Sequence, residues 1–240
     1  MCGHAVIARG RFAVDRGIVA ATEPVTRVGV ECPCGLVLAA VDVKDGKAGA
    51  VSFESVPAFV AAAGLDVAVQ GYGTVRCDVA YGGAFYAIAD CARFGLAFGR
   101  DRARDFVDAA TALTARVAQT VPLSHPDHAD LAFLYGSILT DGGDGSGGVA
   151  TRNVCVFADA EVDRSPTGSG VTARLAVLHA AGTLTLGEER VFESIVGSRF
   201  VGSAERTVTL PDGRAGIVAR VGGRAYYTGT ATFTAEPEDE

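Results

Sequence analysis

Apolar and polar positions alternate along this chain with two different periods. Over residues 101–119 the apolar side chains Phe106, Ala109, Ala110, Leu113 and Val117 fall on one face of a helical wheel, which predicts an amphipathic helix. Elsewhere the period drops to two, or the apolar run is short, and strands are predicted over 36–43, 50–53, 69–80, 84–89, 153–158, 207–210 and 217–221. Residues 224–233 alternate as well and are expected to form a last strand paired with an earlier sheet. Asp45-Gly46 and Asp212-Gly213 supply turns between strand pairs.

The chain also repeats itself. Aligning Cys2 with Thr167 and reading on without gaps pairs Gly3 with Gly168, Val6 with Val171, Ala8 with Ala173, Arg9 with Arg174 and Gly17 with Gly182. Both segments run the same distance from a small nucleophilic residue to a glycine, the layout of a helix closed by a left-handed C′ glycine. Downstream, Glu31 and Gly35 answer Glu193 and Gly197, and the Asp-Gly turns answer each other. Two copies of a helix-then-strands unit are expected: residues 1–60 as the remainder of a first lobe, 61–223 as a second, and 224–240 as a returning strand with an acidic tail. The second copy has a long lead-in of strands and a helix that the first lacks, so the native protein is expected to extend further at its N-terminus.

Composition narrows the functional classes. The formal net charge of −7 is spread along the chain with no basic stripe, so no nucleic acid is expected as a partner. The longest apolar run, 58–65, ends at Asp66, far short of the roughly 20 residues of a membrane helix. The N-terminus carries no secretory pattern, so a cytoplasmic location is expected. Cys32, Cys34, Cys77, Cys91 and Cys155 are read as small buried hydrophobes, because neither their spacing nor that of the histidines suits a metal; none is predicted. The glycine-rich stretch 141–148 lacks a phosphate-loop ending and reads as a flexible connection.

The motifs have a familiar grouping. Cys2-Gly3-His4, Asp163-Arg164-Ser165-Pro166-Thr167-Gly168-Ser169-Gly170, Val51-Ser52-Phe53-Glu54-Ser55-Val56-Pro57-Ala58-Phe59, Asp78-Val79-Ala80-Tyr81-Gly82-Gly83-Ala84-Phe85-Tyr86, Glu193-Ser194-Ile195-Val196-Gly197-Ser198-Arg199-Phe200 and Gly223-Arg224-Ala225-Tyr226-Tyr227-Thr228-Gly229 together resemble the proline racemase superfamily. That group holds proline racemases, hydroxyproline epimerases and trans-3-hydroxy-L-proline dehydratases. The resemblance implies a mixed α/β (α+β) fold of the diaminopimelate epimerase type: two pseudo-symmetric lobes, each a curled β-sheet around a central helix, with the site between them and the first lobe truncated at its N-terminus.

It also implies roles. Removing a Cα proton beside a carboxylate requires a placed base and stabilisation of the developing charge, and a cysteine at a helix N-terminus is favoured as thiolate. Cys2 is so placed. The resemblance assigns the substrate carboxylate to the amides of Gly3, His4, Gly168 and Ser169, and the ring nitrogen to His4 and Asp163. Thr167 is the departure: members that racemise usually carry a second cysteine there, and a threonine hydroxyl is too weak an acid to rest as an anion near neutral pH. The Cys/Thr pairing resembles that of the dehydratases. It implies cofactor-independent loss of water from trans-3-hydroxy-L-proline to Δ1-pyrroline-2-carboxylate, with Cys2 as base and Thr167 near the departing oxygen. Alternative readings are a 4-hydroxyproline 2-epimerase or proline racemase, or a truncated non-catalytic remnant. A homodimer is the assembly expected from the resemblance.

Overall fold

In the computed structural model, residues 2–99 and 101–237 are described. In chain order the elements are α1 (Gly3–Asp15), β1 (Val25–Cys32), β2 (Gly35–Lys44), β3 (Lys47–Glu54), β4 (Phe59–Val69), β5 (Gly73–Tyr81), β6 (Phe85–Asp90), α2 (Ala103–Thr120), β7 (Leu134–Thr140), β8 (Thr151–Phe157), β9 (Glu161–Val162), α3 (Gly168–Ala180), β10 (Glu189–Ser194), β11 (Arg199–Thr209) and β12 (Ala215–Gly223). The strands form one continuous path, β1-β2-β3-β12-β11-β10-β8-β7-β6-β5-β4, with β9 on β8. The sheet is curled and does not close on itself through β1.

The duplication is visible in three dimensions. β1, β2 and β3 form an antiparallel meander after α1, and β10, β11 and β12 form another after α3. The final strands of the two meanders, β3 and β12, pair antiparallel with Val51 opposite Gly223 and Glu54 opposite Arg220, which makes the lobes pseudo-symmetric. Gly17 and Gly182 lie just beyond the two helices at φ 66° and 74°. A residue with a Cβ is strained at that φ, and so both helices stop where the glycines stand.

The central helices sit differently in their sheets. Every residue of α3 from Gly168 to Ala176 is buried. The path from β12 round to β4 wraps this helix, and Ala58 meets Ile217 in an isolated bridge that brings the start of β4 back to β12. A helix apolar on all sides needs such an enclosure. α1 buries only one stripe, Gly3, Val6, Ile7, Gly10, Ala13 and Val14, against β2 and β3. α2 covers the outer face of the second lobe, with Phe106, Val107, Ala109, Ala110, Leu113 and Val117 buried against β4, β7 and β8.

Three expectations are corrected. The strand predicted over 69–80 is broken at a turn after Val69, and the apolar run before it is itself strand β4, so a hairpin replaces one long strand. The strand predicted over 224–233 is absent. The ladders of β12 with β3 and β11 end at Gly223 and Gly222, and beyond them the chain leaves the sheet. It crosses α1 instead: the Ala225 carbonyl accepts from the Arg11 guanidinium, and Tyr227 donates to Asp15 at 3.2 Å. The glycine-rich segment 141–148 is tied down, because Arg174 of α3 donates to the Gly143 carbonyl at 2.9 Å and Asp141 accepts from Thr151 at 2.7 Å. The five cysteines read as core are free thiols; Cys34, Cys77, Cys91 and Cys155 are buried, and Cys32 is half-buried. The lobe boundary expected at residue 60 falls inside β4; residues 55–58 carry the chain from β3 to that strand.

Candidate active site

The two repeated helices meet end to end. A Cβ built on Gly3 would lie 2.5 Å from the Gly168 Cα, and one built on Gly168 would lie 2.6 Å from the Gly3 Cα. Backbones approach this closely only where both residues lack side chains. The first-turn amides of α1 and α3 have no partner within their own helices, so positive helix ends converge on one point. A carboxylate placed there would meet the amides of Gly3, His4, Gly168 and Ser169.

Cys2 and Thr167 are the N-cap residues of these helices. Cys2 is exposed, whereas Thr167 is only 5% exposed and adopts φ 65°, ψ 97°. A β-branched residue in that region is strained, and its surroundings must hold it there. They do so through the preceding loop. Asp163 accepts from the Ser165 amide at 2.8 Å, the Ser165 hydroxyl accepts from the Thr167 amide at 3.1 Å, and Asn153 donates to the Pro166 carbonyl at 3.0 Å. Asn153 is itself held by buried Arg174 at 3.2 Å.

A chain of polar contacts joins the lobes. The Cys2 sulfur lies 3.4 Å from His4 Nε2, and on the other edge of the ring His4 Nδ1 lies 3.3 Å from Asp163 Oδ2 and 3.2 Å from the Ser165 hydroxyl. The Thr167 hydroxyl donates to the same Asp163 oxygen at 2.9 Å. Cys2, His4, Asp163 and Thr167 are thus brought together in one cluster, although two come from each lobe.

The electrostatics follow from these contacts. The hydrogen bond to Asp163, with a second to Cys2, pushes His4 up to about 10. The imidazolium hydrogen bond lowers the Cys2 thiol below its ordinary value against the opposing effect of burial, and the Ala5 amide assists. Burial is the largest influence on Asp163 and would raise it, but the His4 hydrogen bond and charge and the hydrogen bonds from Ser165 together outweigh it and lower the carboxyl below its ordinary value. The arrangement sets a thiol of lowered pKa beside an imidazolium that is paired in turn with a carboxylate. The Thr167 hydroxyl, by contrast, is committed as a donor to Asp163.

Some site residues carry no signal in local sequence. Ser165 reads only as a loop former, yet its hydroxyl reaches His4. Tyr86, fully buried, shares a 2.7 Å hydrogen bond with the Ser169 hydroxyl. Tyr135 packs edge-on to Tyr86, with ring centroids 5.8 Å apart, and its phenol is raised by burial and then by negative charge at Cys2. Tyr86 is the last residue of the Asp78–Tyr86 motif, which does not reveal its contact with Ser169; Tyr135 stands in β7, a strand absent from the predicted elements. Among the described residues no group of three or more His, Cys, Asp or Glu side chains could hold a metal ion, and no helix is long and apolar enough to cross a membrane.

Comparison with known proteins agrees with this architecture. The trans-3-hydroxy-L-proline dehydratase of Homo sapiens is 52% identical over 244 residues, covering 100% of this chain and 69% of that protein. The crystal structure of a probable proline racemase from Agrobacterium radiobacter, with bound carbonate, superposes with a TM-score of 0.93 at 30% identity, over 100% of this chain and 69% of that one. A hydroxyproline epimerase from Agrobacterium vitis, with bound trans-4-hydroxy-L-proline, gives a TM-score of 0.89 at 31% identity, over 95% of this chain and 66% of that one. Residues 1–240 match the family described as proline racemase, and the chain belongs to that family.

Proposed function

We propose that this chain dehydrates trans-3-hydroxy-L-proline to Δ1-pyrroline-2-carboxylate without a cofactor, with Cys2 as the base that takes the Cα proton. The observation that carries the reading is the asymmetry of the two N-cap positions. One holds a thiol paired with an imidazolium, and the other holds a hydroxyl that donates to a carboxylate. Such a site has one base. The identity with the human dehydratase supports the same reaction.

In the proposed reaction the substrate carboxylate sits between the two helix ends, where the amides of Gly3, His4, Gly168 and Ser169 stabilise the charge that spreads from Cα. His4 and Asp163 contact the ring nitrogen, and Asp163 balances its positive charge. The Cys2 thiolate takes the Cα proton, the electron pair forms the C2–C3 double bond, and the C3–O bond breaks. In trans-3-hydroxy-L-proline the Cα hydrogen and the C3 hydroxyl both lie opposite the carboxylate and share one ring face. The group that removes the proton is therefore on the side of the departing oxygen. Cys2 returns the proton as water leaves, and the enamine tautomerises to the cyclic imine. Thr167 faces Cα from across the cleft, away from the departing oxygen beside which it was expected, at the place where a second base would reprotonate Cα from the other face.

The test is a side-by-side assay of trans-3-hydroxy-L-proline and trans-4-hydroxy-L-proline. Formation of an imine that borohydride or an imine reductase traps from the first substrate alone is expected. Epimerisation of the second with no water loss from the first would overturn the proposal.

A further inference from the structure

We infer that Ser165 is a positioning residue for the proton-abstracting thiolate: its hydroxyl fixes the His4 ring so that Nε2 faces the Cys2 sulfur, and it ties that orientation to the opposing helix end. The inference rests on the proposed role of Cys2. Asp163 alone is a loose hold on the ring, because its Oδ2 lies 3.3 Å from His4 Nδ1 and is shared with the Thr167 hydroxyl at 2.9 Å. The Ser165 oxygen gives Nδ1 a second partner at 3.2 Å, and two partners on one nitrogen restrict rotation of the ring. The same oxygen accepts the Thr167 amide at 3.1 Å, so ring orientation and the start of α3 are set by one atom.

Ser165 is itself held on both sides. The Arg164 carbonyl accepts from the Ser198 hydroxyl at 2.8 Å, and the Pro166 carbonyl accepts from Asn153 at 3.0 Å. The titratable groups that act on Cys2 are His4 of its own helix and Asp163 of the opposing loop, while Tyr135 of β7 and Cys32 of β1 respond to its charge. Ser165 carries no charge. Its removal reaches the sulfur through the ring it orients and through Asp163, whose carboxyl the Ser165 hydroxyl helps to hold down.

The experiment is peptide-resolved alkylation of Cys2 by iodoacetamide against pH on the substrate-free protein, for the wild type, Ser165→Ala, Ser165→Thr and Ser198→Ala. Ser165→Ala is expected to slow alkylation near pH 7 by roughly three- to tenfold, the scale of one lost hydrogen bond, and to move its midpoint upward. Ser165→Thr, which keeps a hydroxyl, is expected to restore most of the rate, and Ser198→Ala to leave the midpoint in place. A Ser165→Ala profile that superimposes on the wild type would overturn the inference. So would an equal shift in Ser198→Ala, which would make the effect one of loop anchoring. Because no substrate is present, a wild type that fails to dehydrate hydroxyproline refutes the proposed reaction without touching this result.

Discussion

Gly3 and Gly168 touch backbone to backbone where the two central helices meet, with an added Cβ on either falling within 2.6 Å of the other's Cα. The same contact converges two positive helix ends and brings the Asp163–Thr167 loop within reach of His4. Gly168→Ala would meet the Gly3 backbone at 2.6 Å and the buried Phe53 ring at 3.2 Å, neither of which is the far end of a flexible side chain. The lobes must separate. Overpacking of this kind costs about 1–3 kcal/mol, so the variant is expected to melt several degrees lower and to lose nearly all turnover. Differential scanning calorimetry with the dehydration assay checks both; unchanged turnover would show that the carboxylate is not held at the helix junction.

Cys2→Ser replaces the thiolate with a hydroxyl that does not ionise near neutral pH, while leaving the helix start intact. A general base contributes on the order of 10²–10⁴-fold in rate, and dehydration is expected to fall by at least that range with melting temperature unchanged. Initial rates of imine formation decide it. Retention of most of the wild-type rate would remove Cys2 from the chemistry.

Much of the fold was legible in short patterns because the signals were local. Gly17 and Gly182 stop their helices by backbone conformation alone, and Phe106 through Val117 announce α2 by spacing. β1 alternates buried Thr26, Val28 and Val30, but outward Val25 and Gly29 blur its polar face. Residues 224–233 carry a clean alternation and form no strand, because period two describes a surface and not the edge that must receive it. The site divides in the same way. Cys2, His4, Asp163 and Thr167 stand in recognisable motifs, whereas Ser165 acts through a contact with a residue 161 positions away. The burial of Tyr86 and its edge-on contact with the more exposed Tyr135 arise only when β6 and β7 pair side by side.

Thr167→Cys tests whether one side chain divides elimination from inversion. The position is buried, next to an ionised aspartate and at positive φ, so a cysteine there inherits the strained backbone and lies near negative charge. A thiol in that setting still ionises far more readily than a hydroxyl. The variant is expected to exchange the Cα hydrogen of proline for deuterium with partial loss of chirality, whereas any exchange by the wild type is expected to retain it, at a rate well below dehydration of trans-3-hydroxy-L-proline. Proton NMR in D2O with chiral chromatography reads both. No exchange above wild type would mean that pocket shape, and not the hydroxyl at this position, prevents racemisation.

The His4–Asp163 contact also sets a pH window for stability. His4 in the fold is pushed up to about 10, above its unfolded value near 6.5. Its contribution is therefore complete below about pH 6.5, shrinks as pH rises, and is gone once the folded imidazolium releases its proton. Asp163 is lowered in the fold, so its share is present above the ordinary carboxylate range and fades as acid protonates it. His4 is half exposed, with 45% of its side chain in solvent, and screening keeps the effect small. The melting temperature is expected to fall between pH 7 and pH 10 by about 1–4 °C more in the wild type than in His4→Gln. Thermal melts across that range make the comparison. Parallel curves for the two proteins would show that the imidazolium–carboxylate pair does not hold the lobes together.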